Sequence, residues 1–96
     1  MSVQLRRYRI APGKKAQFAA EWRRGVVPLR QQYGFEVQGW AVDGTDEFIW
    51  VLTHDDRATF EAADAEYYRS TERAALNPDP ARLIEEARHN WVTPAV

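Results

Sequence analysis

Five consecutive residues, Phe48-Ile49-Trp50-Val51-Leu52, are all large and apolar. Their aromatic and β-branched make-up, with the turn residues Asp43-Gly44-Thr45-Asp46 before them and Asp55-Asp56 after, reads as a strand. Successive side chains on a strand point to opposite faces of the sheet, so this one demands cover on both sides. A chain of 96 residues has material for two substantial helices, which cover one face. The other face requires a partner, most simply a second copy of the chain. A homodimer is therefore expected from burial alone.

The remaining pattern places that strand. Val3–Ile10 is strand-like and stops at Ala11-Pro12-Gly13, a strong turn signal. From Lys14 to Gln32 the apolar residues Phe18, Trp22, Val26 and Leu29 recur at helical spacing, with Arg23, Arg24 and Arg30 assigned to the opposite side. Pro28 falls inside this helix and cannot donate a backbone hydrogen bond, which predicts a kink or a broken last turn near Arg24–Gly25. Phe35–Val42 and Glu47–His54, joined through Asp43-Gly44, form a hairpin. Asp55 or Asp56 caps a helix carrying Phe60, Ala63 and Tyr67 inward, with Asp64 and Tyr68 on its flank. After Asn77-Pro78-Asp79-Pro80, a short last helix with Leu83, Ile84 and Ala87 inward leads to a final edge strand from His89. The order β-α-β-β-α-(α)-β specifies an α+β, ferredoxin-like fold with a four-stranded antiparallel sheet, one domain over residues 1–96.

Charge is uneven along the chain. Residues 1–33 carry eight Lys or Arg and one acid, a net +7, whereas the rest carry five Arg and thirteen acids, a net −8. The total of −1 argues against nucleic acid as a partner. The favoured reading is two halves, or two subunits, that meet with complementary charge; the alternative is a basic patch for an anionic ligand. Without cysteine, disulfides, zinc–thiolate sites and cysteine nucleophiles fall away. No apolar run reaches the roughly 20 residues of a membrane span, and no signal-peptide core opens the chain, so a cytoplasmic protein is expected.

Several motifs, in this order, resemble those of the NIPSNAP family within the dimeric α+β-barrel superfamily. Leu5-Arg6-Arg7-Tyr8-Arg9-Ile10-Ala11-Pro12-Gly13 is similar to the family's Leu-Arg-x-Tyr-x-Leu-x-Pro-Gly opening, although Gln4 stands where Glu is common. Pro28-Leu29 resembles the Pro-Leu late in the first helix, and Phe48-Ile49-Trp50 the aromatic third strand; Leu52 occupies a position where many members have Tyr. The resemblance implies a homodimer with its two sheets packed face to face and a cavity between sheet and helices in each subunit. The superfamily includes cofactor-independent monooxygenases, lactone isomerases, polyketide cyclases and haem-binding enzymes, so fold analogy points to a small-molecule pocket and leaves the chemistry open.

Among candidate residues, His54 ends the third strand on the parity of Phe48, Trp50 and Leu52, where an imidazole could act as acid or base at neutral pH. The plainer alternative is a hydrogen-bonded strand-end histidine. His89 is expected at the same sheet end, about 10 Å from His54 at two strand spacings, too far for a shared metal. Arg6 and Tyr8 share one face of the first strand and could steady a carboxylate or enolate oxygen; a salt bridge from Arg6 to an acid of the second half is the alternative. Asp64 is a candidate base or an arginine partner. Trp22, Trp40, Trp50, Tyr67 and Phe60 are candidate walls for a flat apolar ligand, or simply core.

The leading expectation is a small-molecule-binding protein that needs no cofactor and catalyses proton transfer, cyclisation, isomerisation or oxygenation on an aromatic or polyketide-like substrate. His54, Tyr8 and Arg6 would be catalytic. The runner-up is a non-catalytic binding or interaction module, and a third reading is haem binding through His54 or His89.

Overall fold

A computed structural model describes all 96 residues. The elements in chain order are β1 (Ser2–Ile10), α1 (Lys15–Glu21), a π-helical turn (Trp22–Val26), α2 (Val27–Gln32), β2 (Glu36–Ala41), β3 (Glu47–His54), α3 (Arg57–Arg69), α4 (Thr71–Ala74), a 3₁₀ turn (Pro80–Leu83) and β4 (Ile84–Val92). The strands form one antiparallel sheet in the order β2-β3-β1-β4. This is the expected ferredoxin-like arrangement, with helices on one face only. No helix is long and apolar enough to cross a membrane.

Local signals account for most boundaries. Gly13 at φ +75° and Gly44 at φ +73° make turns that other residues enter only with strain. The Asp56 carboxylate accepts from the Thr59 amide at 2.8 Å and starts α3, and Asp79 accepts from the Ala81 amide at 3.0 Å before the 3₁₀ turn. The final segment departs from expectation. Only Pro80–Leu83 is helical, as one 3₁₀ turn, and the strand begins at Ile84 rather than His89. Backbone pairing outweighs the helical spacing of Leu83, Ile84 and Ala87: β4 runs along nearly all of β1, from Ile10 opposite Ile84 to Val3 opposite Val92.

Pro28 disturbs the helix at the expected place, but through a π turn rather than a kink or a broken turn. With no amide proton at Pro28, the chain before it widens into the π turn, and the Val27 amide donates to the Trp22 carbonyl five residues back. The helix does not break. One residue's worth of extra arc, about 100°, is absorbed, and everything after it rotates relative to an uninterrupted α-helix. Arg30, which the uninterrupted spacing assigns to the solvent side, is thereby turned into the interior and is 0% exposed.

The two faces of the sheet differ as the third strand requires. Phe48, Trp50 and Leu52 are buried beneath the helices with Tyr8 and Ile10 of β1, whereas Ile49 and Val51 lie on the outer face and remain partly exposed. Trp40 is on the outer face as well, 51% exposed and opposite Ile49, and Leu5, opposite Val51, and Val3 extend that face on β1. This row of apolar residues has the character of an assembly surface. Ile49→Asp and Val51→Asp are therefore expected to give a monomer or an insoluble product, as read by size-exclusion chromatography with light scattering. A folded, unaltered dimer from both variants would refute the requirement for cover on this face.

Candidate functional site

The inner face of the sheet, the first helical stretch and α3 line a cavity of about 130 Å³ that is partly open to solvent. Its floor is Tyr8 of β1 and Trp50 of β3; Trp22 and Arg30 form one side, Tyr67 and Arg73 the other. Trp22 reaches this place because Gly39 on β2 has no side chain. A Cβ there would stand 2.5 Å from the Trp22 ring and 3.1 Å from the Phe48 ring. Trp22 meets Trp50 edge to face at 5.7 Å, and Trp50 meets Tyr8 at 6.3 Å, so the aromatic walls brace one another.

Two buried arginines share one carboxylate above these rings. Asp64 Oδ1 accepts from Arg30 Nη1 at 2.7 Å and from Arg6 Nη2 at 3.1 Å. Arg6 is otherwise fully engaged: Nε donates to Gln4 Oε1 at 2.8 Å and Nη1 to the Tyr68 hydroxyl at 2.8 Å. Arg6 therefore serves the fold, the alternative weighed for it, and does not line the cavity. Arg30 is different. Its guanidinium lies 3.7 Å from the Tyr67 ring centre and 5.0 Å from that of Phe35, which favours the cation by about 2 kcal/mol in a desolvated setting. Stacking uses the face of the group and leaves its in-plane N–H donors unspent.

Burial pushes the Tyr8 and Tyr67 phenols above the ordinary 10.0, and the opposing pull of Arg6 on Tyr8 and of Arg30 on Tyr67 does not reverse it. Both hydroxyls stay neutral around pH 7 and present hydrogen-bond donors beside the cavity. Of the wall residues named from sequence, Tyr8, Trp22, Trp50 and Tyr67 come together.

The others do not. His54 lies outside the cavity, beside Gly34 and Thr53 at the far sheet end. Its Nδ1 accepts from the Asp55 amide at 2.9 Å, which assigns the proton to Nε2 and directs it to the Tyr33 carbonyl at 3.2 Å. Both ring nitrogens are thus occupied by backbone, the plainer of the two readings. His89 sits in the middle of β4, opposite Arg6, whereas His54 is opposite Ser2. That separates the two by roughly 16 Å rather than 10 Å. Burial, with Arg6 adding to it, lowers the His89 pKa. Neither histidine reaches the cavity, which is also far smaller than the roughly 300–1,000 Å³ of ordinary ligand pockets, so the space does not fit haem. Phe60 packs at 5.0 Å on Phe35 and 4.8 Å on Trp91, as core, and Trp40 faces the opposite side of the sheet. Asp64 holds the arginines rather than facing the cavity.

Arg30 and Arg73 are the charged wall residues that sequence reasoning missed. Pro28 carried a usable signal for Arg30, since a π turn ahead of it advances Arg30 into the apolar stripe. Arg73 had none, because its place depends on how α4 folds back.

The family model for NIPSNAP proteins matches residues 3–96. The chain belongs to the NIPSNAP family. An uncharacterised NIPSNAP domain protein from Burkholderia xenovorans has the same fold with a TM-score of 0.87 at 21% identity, over 99% of this chain and 95% of that one. A NIPSNAP family protein from Agrobacterium tumefaciens has a TM-score of 0.87 at 16% identity, over 98% and 92%. SnoaB, a cofactor-independent oxygenase from Streptomyces nogalater solved as its N63A mutant, has a TM-score of 0.71 at 16% identity, over 99% and 93%. No protein with a curated description matches the sequence significantly. At these identities the likeness is one of fold.

Two outcomes follow from the geometry of this NIPSNAP chain. Asp64→Asn removes the only acid partner of two buried guanidiniums and is expected to destabilise the fold by about 3 kcal/mol in urea titration; wild-type stability would show that the shared ion pair does not hold the helices to the sheet. For the phenols, the folded state binds protons more tightly than the unfolded state. Their contribution is present below about pH 10 and is lost as pH rises beyond it, where the unfolded phenol ionises first. The urea midpoint should therefore fall above pH 10, and Tyr8→Phe should make that fall shallower. An identical slope in the variant would show that Tyr8 does not contribute.

Proposed function

We propose that this NIPSNAP protein is a homodimer that binds a small, flat, largely apolar molecule in the cavity of each subunit and acts on it without a resident cofactor. The carrying observation is the cavity itself, with Tyr8, Trp22, Trp50 and Tyr67 converging on it from four separate elements. Its size suits a molecule built on about one ring, below the usual range of ligand pockets. Aromatic walls hold such a ring by area and edge contacts, and the two neutral hydroxyls orient a carbonyl or enol oxygen.

The reaction class that fits is proton transfer, isomerisation, cyclisation, or oxygenation with molecular oxygen as co-substrate. SnoaB, a cofactor-independent oxygenase of like fold, supports the last of these by analogy. The role given to His54 as acid or base is withdrawn. Catalysis in this cavity would work through orientation and electrostatic stabilisation of negative charge developing on the substrate. A second reading is a non-catalytic binding protein, and one observation favours it: no carboxylate or imidazole lines the cavity.

Native mass spectrometry of freshly purified protein tests the reading. The expected spectrum is a dimer with a reproducible extra mass of a small organic molecule on each subunit, absent from Ile84→Trp, which fills the cavity. A bare monomer from the wild type would overturn both the assembly and the binding site.

A further inference from the structure

Every buried side-chain polar atom that lacks a hydrogen-bond partner in this protein belongs to a cavity wall. There are five: Trp22 Nε1, Trp50 Nε1, Arg30 Nε, Arg30 Nη2 and Arg73 Nε. All are donors, and all four residues line the same space. A buried unpaired donor costs roughly 1–3 kcal/mol, more where it is charged, so their convergence on one cavity describes the ligand that would relieve them. That ligand must bring acceptors.

The Arg30 pair specifies their geometry. Nε–H and Nη2–H lie on one edge of the planar guanidinium and point in parallel, the fork that a carboxylate fills with both oxygens. In Arg6 the same edge is already taken, by Gln4 at Nε and Asp64 at Nη2. In Arg30 it is free, because Asp64 takes only Nη1.

Charge sets the valence. Arg6 and Arg30 bring two positive charges against the single negative charge of Asp64. Arg73, the other wall cation, is paired with Asp79 at 3.2 Å. One positive charge is left over in a buried setting, where it is costly until an anion joins it. A monoanion balances the cluster.

We infer that the cavity takes a small planar monocarboxylate, its carboxylate seated on the free edge of Arg30 and its apolar ring against Trp22, Trp50 and Tyr67. This inference rests on the reading of the cavity as a small-molecule site and names the ligand class. The Arg30 interaction replaces the oxyanion role considered for Arg6. Arg73, which lies 5.9 Å from the Tyr67 ring on the far side of the cavity, adds long-range attraction and one further donor.

Benzoate and benzamide are probes of nearly equal size and shape that differ in charge. Isothermal titration of the full chain at neutral pH is expected to show benzoate binding at least about tenfold more tightly than benzamide. Arg30→Met should abolish that preference, so that the two probes bind alike, and Arg73→Gln should narrow it by a smaller factor. Should Arg30→Met fail to fold, the narrowing in Arg73→Gln carries the test. Equal affinity of the wild type for the two probes would overturn the carboxylate inference and leave the cavity as a binding site for neutral molecules. A preference undiminished in the variants would place the anion elsewhere and overturn it as well. Binding of neither probe would overturn both this inference and the small-molecule reading beneath it.

Discussion

Asp64 holds two guanidinium groups at once, and through them it ties together three parts of the chain, with the Arg6–Tyr68 hydrogen bond as a second link between strand and helix. Arg6 comes from the central strand β1, Arg30 from α2 and Asp64 itself from α3. The carboxylate is only partly buried, 27% exposed, while both arginines are almost wholly enclosed. Such an arrangement is weak as a source of net stability, since desolvating three charges offsets most of their attraction. Its strength is positional. Each guanidinium has few orientations that satisfy the shared oxygen, so the distance between sheet and helices and the location of the cavity are set together.

The uneven charge along the sequence is met in part within one chain. Five of the seven ion pairs join a residue in 1–33 to one in 34–96, including both Asp64 pairs, the two from Arg9 to Glu85 and Glu86, and Glu21 with Arg82. The Glu21 pair is the most complete: the carboxylate accepts from Arg82 through both oxygens and from Gln17, and these bonds hold its pKa below the usual range. It fastens α1 to the 3₁₀ turn behind the cavity. Complementary halves, the favoured reading, and an anion site, its alternative, are not exclusive. Pairing takes up Arg6, Arg9 and Arg30 among the eight basic residues of 1–33, and Arg30 is the buried one left only partly compensated.

The fold was legible because its signals are local. Pro12-Gly13, Asp43-Gly44, Asp56 and Asp79 each act on a neighbouring amide or on a single φ angle, and each turn or cap forms where its chemistry predicts. The third strand was legible for a different reason, since a run apolar at both parities has few solutions. The site was legible only in part. Tyr8, Trp22, Trp50 and Tyr67 follow directly from strand parity or helical spacing. Arg30 does not, because its orientation depends on how Pro28 is accommodated, by a break or by a π turn, and the two place it on opposite sides. His54 has the right parity but lies too close to the sheet end, where the Tyr33 carbonyl and the Asp55 amide claim its ring. Parity states a face and says nothing about depth along the strand.

A buried arginine with a vacant hydrogen-bonding edge is a poor choice for a protein selected on stability alone. A leucine or methionine at position 30 would fill similar volume, leave Asp64 paired to Arg6, and spare the desolvation of a second cation. Local rules that are broken without structural gain mark the places where function has been accommodated. Here three such breaks coincide in space: an uncompensated charge at Arg30, indole donors at Trp22 and Trp50 with no acceptor, and a glycine at position 39 in the middle of a strand that lets Trp22 approach. A core chosen for packing would place Val at 39 and turn the Trp22 ring elsewhere. The coincidence of these departures at one cavity, while the rest of the sheet follows ordinary alternation, argues that the space between β1, β3, α2 and α3 exists to hold something.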